Sequence, residues 1–160
     1  MKEIEEAKNA INNFRTSMST LKELGVLINQ HGFTAQIGEW SVEQIFEGER
    51  SKNGIQAGWD VCANGKYIQV KTHAKAENNN ANFTAISRTS KTHIDELIIL
   101  NFSPEYKLKE FYHVPWIEAV KSIKFSGKST PREEINWSSV RQYKVHLDEL
   151  PHQEIVKLFI

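Results

Sequence analysis

The dipeptide Asn64-Gly65 lies between two runs of alternating residues, and it constrains this chain more than any other feature. A two-residue hairpin turn of this kind needs positive φ at both central positions, which Asn and Gly tolerate best. Strands over residues 56–63 and 66–73 are therefore expected on either side. With 64–65 as the turn, Asp60 stands opposite Gln69 and Cys62 opposite Tyr67. Opposed residues point to one side of the sheet, with Cβ atoms ~4.5–5.5 Å apart. Lys71, two positions past Gln69, shares that side. Trp59, Val61, Ile68 and Val70 point to the other side and predict a core face. The first face thus gathers a carboxylate, an amide and an ammonium. Polarity alone fits a solvated ion pair across a hairpin equally well, and such pairs are worth little.

Around the hairpin, residues 2–15 are expected to form a helix with Ile4, Ala7, Ile11 and Phe14 at helical spacing. A second helix is expected over 18–31, capped by Ser19 or Thr20, burying Leu21, Leu24, Leu27 and Ile28, and stopped by Gly32. A third is expected from Gly38 to Glu47, with Trp40, Ile45 and Phe46 inward and Gly48 at its end. A polar loop follows (ERSKNG). After the hairpin come a polar loop over 74–81, a short strand from Phe83 to Ser87, and Glu96–Phe102 (ELIILNF), whose continuous apolar run fits a central buried strand. Lys109–Val114 reads as a strand ended by Pro115, and 115–123 as a helix. The tail over 126–160 is polar and irregular, with a strand at Tyr143–Leu147 and a closing helix at 151–158. The expectation is one domain over 1–160: a helical segment over about 1–35, a core over about 36–123 and an extension over about 124–160. Its class is α/β (α+β layered), a central mixed sheet flanked by helices, with helices at the N-terminal end.

The chain has 160 residues and a formal net charge of zero, which argues against coating nucleic acid by bulk charge. The middle of the chain is different. From Asn64 to His93, Lys66, Lys71, Lys75, Arg88 and Lys91 face a single acid, Glu77. An anionic partner is expected to meet that stretch. No apolar run is long enough to span a bilayer, and the charged start MKEIEEAKNA resembles neither a secretory signal nor a transit peptide. Cys62 is the only cysteine, so neither an internal disulfide nor a cysteine zinc site can form, and a reducing, cytoplasmic setting is expected. There is no P-loop and no G-x-G-x-x-G.

The segment Gly58-Trp59-Asp60-Val61, followed by Tyr67-Ile68-Gln69-Val70-Lys71, resembles the PD-(D/E)XK nuclease superfamily. The resemblance covers roughly residues 20–123. In that family an Asp near the start of one strand and an acidic-x-Lys pair on the next form the site. Gln69 stands where the acid would be, as in Mrr-like branches of the family. Glu39 matches a Glu that the preceding helix often contributes. The resemblance implies a restriction-endonuclease-like core and a metal-dependent endonuclease acting on DNA, with RNA as the alternative substrate, and with roles in restriction or defence. Under it, Asp60, the Gln69 side-chain oxygen, the Val70 carbonyl and Glu39 would hold Mg²⁺ or Mn²⁺. Lys71 would orient or deprotonate the attacking water, or stabilise the charged phosphate. Restriction-type members commonly act as homodimers, because two strands need two sites. The alternative is a nucleic-acid-binding module on the same fold without turnover, since an amide at position 69 removes one negative charge from the metal site.

Glu39, Glu43 and Glu47 fall on one helical face, and Glu43 and Glu47 are expected to be solvated. His73, Lys75, Arg88 and Lys91 are candidate phosphate contacts, each equally readable as an ordinary polar residue. Ser87-Arg88-Thr89-Ser90-Lys91 combines hydroxyls with two cations. His93, His113, His146 and His152 lack ligand spacing and read as structural. Trp116 and Trp137 read as packing residues, and Cys62 as packed rather than nucleophilic.

Overall fold

The computed structural model describes residues 2–28, 32–51, 58–75, 81–88, 93–127 and 131–160. Two sheets and four α-helices organise them. The larger sheet has six strands: β1 (Glu49–Arg50), β2 (Val61–Ala63), β3 (Lys66–Ala74), β5 (Glu96–Phe102), β6 (Leu108–Pro115) and β9 (Lys144–Val145). They lie in the order β1-β2-β3-β5-β6-β9. Only β3 and β5 run parallel; the other pairs are antiparallel. The smaller sheet has β4 (Phe83–Ala85), β7 (Ile123–Ser126) and β8 (Arg132–Asn136) in the order β4-β8-β7. The architecture is α+β, with a mixed sheet flanked by helices.

β5 sits at the centre as its apolar run requires. Leu97, Ile98, Ile99 and Leu100 are fully buried, each worth ~1.5–3 kcal/mol against exposure. Its two faces serve two cores. Ile98 and Leu100 join Val61, Ile68 and Val70 beneath helix α2 (Phe33–Ile45), with Val156 of helix α4 (Gln153–Val156) closing that side. Leu97 and Ile99 pack with Ile135, Trp137 and Val140, beside Ala119 of helix α3 (Trp116–Ser122).

The first two expected helices are one, α1 (Lys2–Glu23). No Gly or Pro interrupts it, and Thr20 bonds back to the Thr16 carbonyl at 3.1 Å inside the helix instead of capping a new one. The chain turns at Gly25, whose φ of +72° ends the helix well before Gly32. Leu27 is buried beyond the helix, while Leu24 is exposed. Residues 29–31 of the expected second helix lie outside the described residues. α2 begins at Phe33, not Gly38, and Glu47, with φ of +50°, makes the turn after it. The polar loop supplies the edge strand β1, paired with Val61 and Cys62.

The tail is more regular than its polarity foretold. β8 pairs with both β4 and β7, and buries Ile135. A 3-10 helix over Trp137–Tyr143 puts Trp137 and Val140 into the core. These strands are short and their inward residues widely spaced, so they show no alternating apolar run.

Candidate functional site

The hairpin register holds where the ladder is regular: Val61 pairs with Ile68, Cys62 with Tyr67 and Ala63 with Lys66. It departs at Asp60. The Asp60 N–H donates to the Ile68 carbonyl at 2.8 Å, not to Gln69. One extra residue is thereby accommodated, as in a β-bulge, and the alternation of faces is interrupted. Trp59 follows the change. Expected on the core face, it stacks instead on the exposed Tyr67, with ring centroids 5.2 Å apart. The Asp60 carboxylate accepts the Val70 N–H at 2.7 Å. A strand N–H lies in the plane of its sheet, so this carboxylate sits at the edge of β3, not above one face with Gln69. Strand β2 ends at Val61, and no described residue pairs with β3 on that edge beyond this point.

Gln69 and Lys71 do share a face, as alternation requires. They pair with Leu97 and Ile99 and stand on that side of the sheet. The Gln69 Oε1 is buried and accepts no hydrogen bond from the described residues. An unsatisfied buried oxygen of this kind costs ~1–3 kcal/mol.

Glu39 arrives from the opposite layer, in the second turn of α2. Gly38 makes this possible. A Cβ there would stand 1.7 Å from Thr72 Oγ1, so α2 lies directly on β3. Burial, then the neighbouring Asp60, pushes the Glu39 carboxyl up to about 7, against the pull of Arg50 and Lys71. Burial also raises Asp60, against the Val70 N–H and Lys71. Two partly desolvated carboxylates and one ammonium thus act on one another at the edge of β3.

Arg50, which the sequence placed in a polar loop, organises the approach to Glu39. Its Nε donates to Glu43 at 2.7 Å and its Nη1 to the Val26 carbonyl at 2.9 Å, while Nη2 reaches the Gly25 carbonyl. Glu43 is therefore a half-buried partner of Arg50, not a solvated acid. Glu47 is exposed, 3.2 Å from His152.

The weaker phosphate candidates fare differently. His73 lies on the face of Lys71 but bonds Thr84 at 2.8 Å, and Thr84 accepts the Trp137 indole N–H at 2.9 Å. Burial, with Lys75 and Lys71 nearby, pushes His73 down to about 4, so it carries no charge to a phosphate at neutral pH. Lys75 Nζ sits 4.1 Å from the Trp137 ring centroid and finds no hydrogen-bond acceptor among the described residues. Arg88 is engaged by Glu133 at 3.0 Å and by the Ile123 carbonyl. Lys91 lies outside the described residues. A cleft of about 400 Å³, lined by Thr34, Thr72, His73, Lys75 and Phe83 among others, continues past the end of β3.

Among the described residues, no three His, Cys, Asp or Glu side chains converge to hold a metal. What is present is a pair of carboxylates with an orphaned amide oxygen nearby in the strand. That set suits a hard cation that takes oxygen ligands and keeps several waters, not zinc. Neither models of known protein families nor characterised proteins match this chain. Among the described residues, no helix is long and apolar enough to cross a membrane.

The sequence missed Arg50, Thr84 and Trp137 as supports of the site. Arg50 reaches Val26, 24 residues away, and Thr84 meets Trp137, 53 residues away, contacts that no local spacing signals.

Proposed function

We propose that this chain has a restriction-endonuclease-like core and hydrolyses phosphodiester bonds in nucleic acid, DNA above all, with Mg²⁺ or Mn²⁺. One observation carries the reading: burial and the neighbouring Asp60 push the Glu39 carboxyl up to about 7 at the edge of β3, where Lys71 acts on both carboxylates. A desolvated carboxyl beside a second carboxylate is relieved by a cation. Asp60 and Glu39 would supply its anionic ligands. Gln69 Oε1 and the Val70 carbonyl would supply neutral ones. The cation, when bound, neutralises charge on the phosphate and lowers the pKa of a bound water.

The chain's own residues do the rest. The Val70 N–H fixes the Asp60 carboxylate in one orientation. Gly38 seats α2 close enough to hold Glu39 beside it. Lys71 extends its ammonium toward the scissile phosphate, orienting the water whose oxygen bonds phosphorus as the P–O bond to the leaving oxygen breaks. Lys75, which lines the cleft, fits a neighbouring phosphate there. Gln69 favours the second reading, a binding module without turnover, because the amide weakens the cation's hold.

Incubation of plasmid and of single-stranded RNA with the protein and Mg²⁺ or Mn²⁺ separates the two. Cleavage that falls at least ~10²-fold in Asp60→Ala and in Lys71→Ala is expected. Salt-dependent binding without cleavage under either metal would leave the binding module. Equal cleavage by all three proteins would refute the assignment of these residues.

A further inference from the structure

Helix α1 carries an apolar seam that the other described residues leave exposed from Ile4 to Phe14. Ile4, Ala7, Ile11, Phe14, Met18 and Leu21 recur at alternating steps of three and four, the spacing of a coiled-coil seam. Ile4 is 73% exposed, Ile11 52% and Phe14 63%. Of the six, only Leu21, at the last turn, packs against the core. A lone helix of this length is marginal in water, because helices in proteins gain most of their stability from the apolar stripe they bury. The stripe on α1 therefore wants a partner of its own shape.

We infer that α1 is a self-association element, pairing in parallel with α1 of a second copy of this chain. The residue types name the partner. With Ile4, Ile11 and Met18 as the first seam position, Ala7, Phe14 and Leu21 form the second. β-branched residues at the first position favour two parallel strands. The flanking positions set the orientation. Lys8, Arg15 and Lys22 line one side of the seam, and Glu3, Ala10 and Ser17 the other. In a parallel pair Glu3 of each helix faces Lys8 of the other, twice by symmetry. In an antiparallel pair the three cations would face the same three cations. Lys8 holds Glu5 at 3.3 Å in the single chain, an exposed contact that it can exchange. A lipid surface is a poorer occupant. Lys2–Glu23 has four basic and four acidic residues, so the helix has no net attraction to anionic headgroups. A parallel pair sets both bodies at the same end of the coil, because each body follows Glu23.

Sedimentation velocity on the full chain, from low to high micromolar concentration, tests this without reference to cleavage. The expected mass rises toward twice that of the monomer. Ile11→Asp and Phe14→Asp should hold the protein monomeric at every concentration, with the unfolding transition of the body unchanged, since neither residue packs on it. In a Cys62→Ser background, Ala7→Cys should cross-link to itself under mild oxidation, because position 7 faces position 7 only in the parallel pair. A monomer throughout, a higher oligomer, or a dimer indifferent to both aspartates would overturn the proposal. A dimer in which Ala7→Cys fails to cross-link would overturn its orientation. Because mass and cross-linking are the readouts, failure here leaves the nuclease reading where the cleavage assay puts it.

Discussion

Replacing Gly38 with alanine sets two effects against each other, and the structure decides their balance. In an ordinary helix interior the change is favourable by ~0.5–1 kcal/mol, because glycine loses more backbone freedom on folding. Here the added methyl would stand 1.7 Å from Thr72 Oγ1, 2.8 Å from its Cβ and 2.9 Å from its Cγ2. Carbon contacts settle near ~3.5–4.0 Å. Rotating Thr72 moves Oγ1 and Cγ2 but not Cβ, so α2 must also lift from β3. Overpacking of this kind costs ~1–3 kcal/mol. The net expectation is a loss of ~0.5–2 kcal/mol, measured by urea unfolding. In a chain of this size each kcal/mol lowers the melting temperature by ~2–4 °C. Thr72→Ala removes two of the three clashing atoms and should couple to Gly38→Ala by ~0.5 kcal/mol or more in a double-mutant cycle. Displacing α2 also displaces Glu39, so on the nuclease reading cleavage should fall by up to ~10²-fold. A Gly38→Ala protein as stable as the parent, or more so, would show that α2 does not rest on β3 in this way.

Two further perturbations follow from the charges around Glu39. Its carboxyl, normally near 4.5, is held at about 7, so the folded state keeps a proton that the unfolded state releases. Stability should therefore fall as pH rises from 4.5 to 7 and stay low above it. That gap is ~3 kcal/mol in a dry site, reduced to ~1–2 kcal/mol by solvent at its open side. Glu39→Gln should accordingly be the more stable protein at pH 8 in chelator and no different at pH 4.5, by urea unfolding at both. Arg50→Ala leaves the half-buried Glu43 without its cation, holding only the backbone N–H of residue 50, and leaves the Val26 and Gly25 carbonyls without the guanidinium, and should cost ~3 kcal/mol or more in the same assay. An Arg50→Ala protein within experimental error of the parent would show the clamp to be ornamental.

The larger sheet's outline was legible because its strands announce themselves. Asn64-Gly65 set the turn, and ELIILNF could only be a strand buried on both faces. The smaller sheet was legible only at β4, where a short strand from Phe83 was expected. β7 and β8 are four and five residues long, and β8 joins β4 from some fifty residues away. The helix at the N-terminal end was divided because Ser19 and Thr20 look like caps of a new helix, although Thr20 bonds back to the Thr16 carbonyl within the same one. At the site, Gln69, Lys71 and Val70 fell where alternation put them. Asp60 did not, because a bulge leaves no trace in a hydrophobic pattern. Glu39 was reached by resemblance alone. Its nearness depends on the contact of Gly38 with Thr72, which links two segments that share no local signal.

Strand β3 does two jobs in alternate positions. Gln69, Lys71 and His73 face the Leu97 side, while Ile68, Val70 and Thr72 anchor the strand beneath α2. Parity is therefore the variable that a mutation can least afford to change. Inserting one residue between Gly65 and Gln69 would turn every later side chain over, carrying the ammonium of Lys71 under α2 and Val70 to the Leu97 side. Inserting two would restore the order of faces and merely lengthen the arm between turn and site. Length variation in this hairpin should be tolerated in even steps and fatal in odd ones.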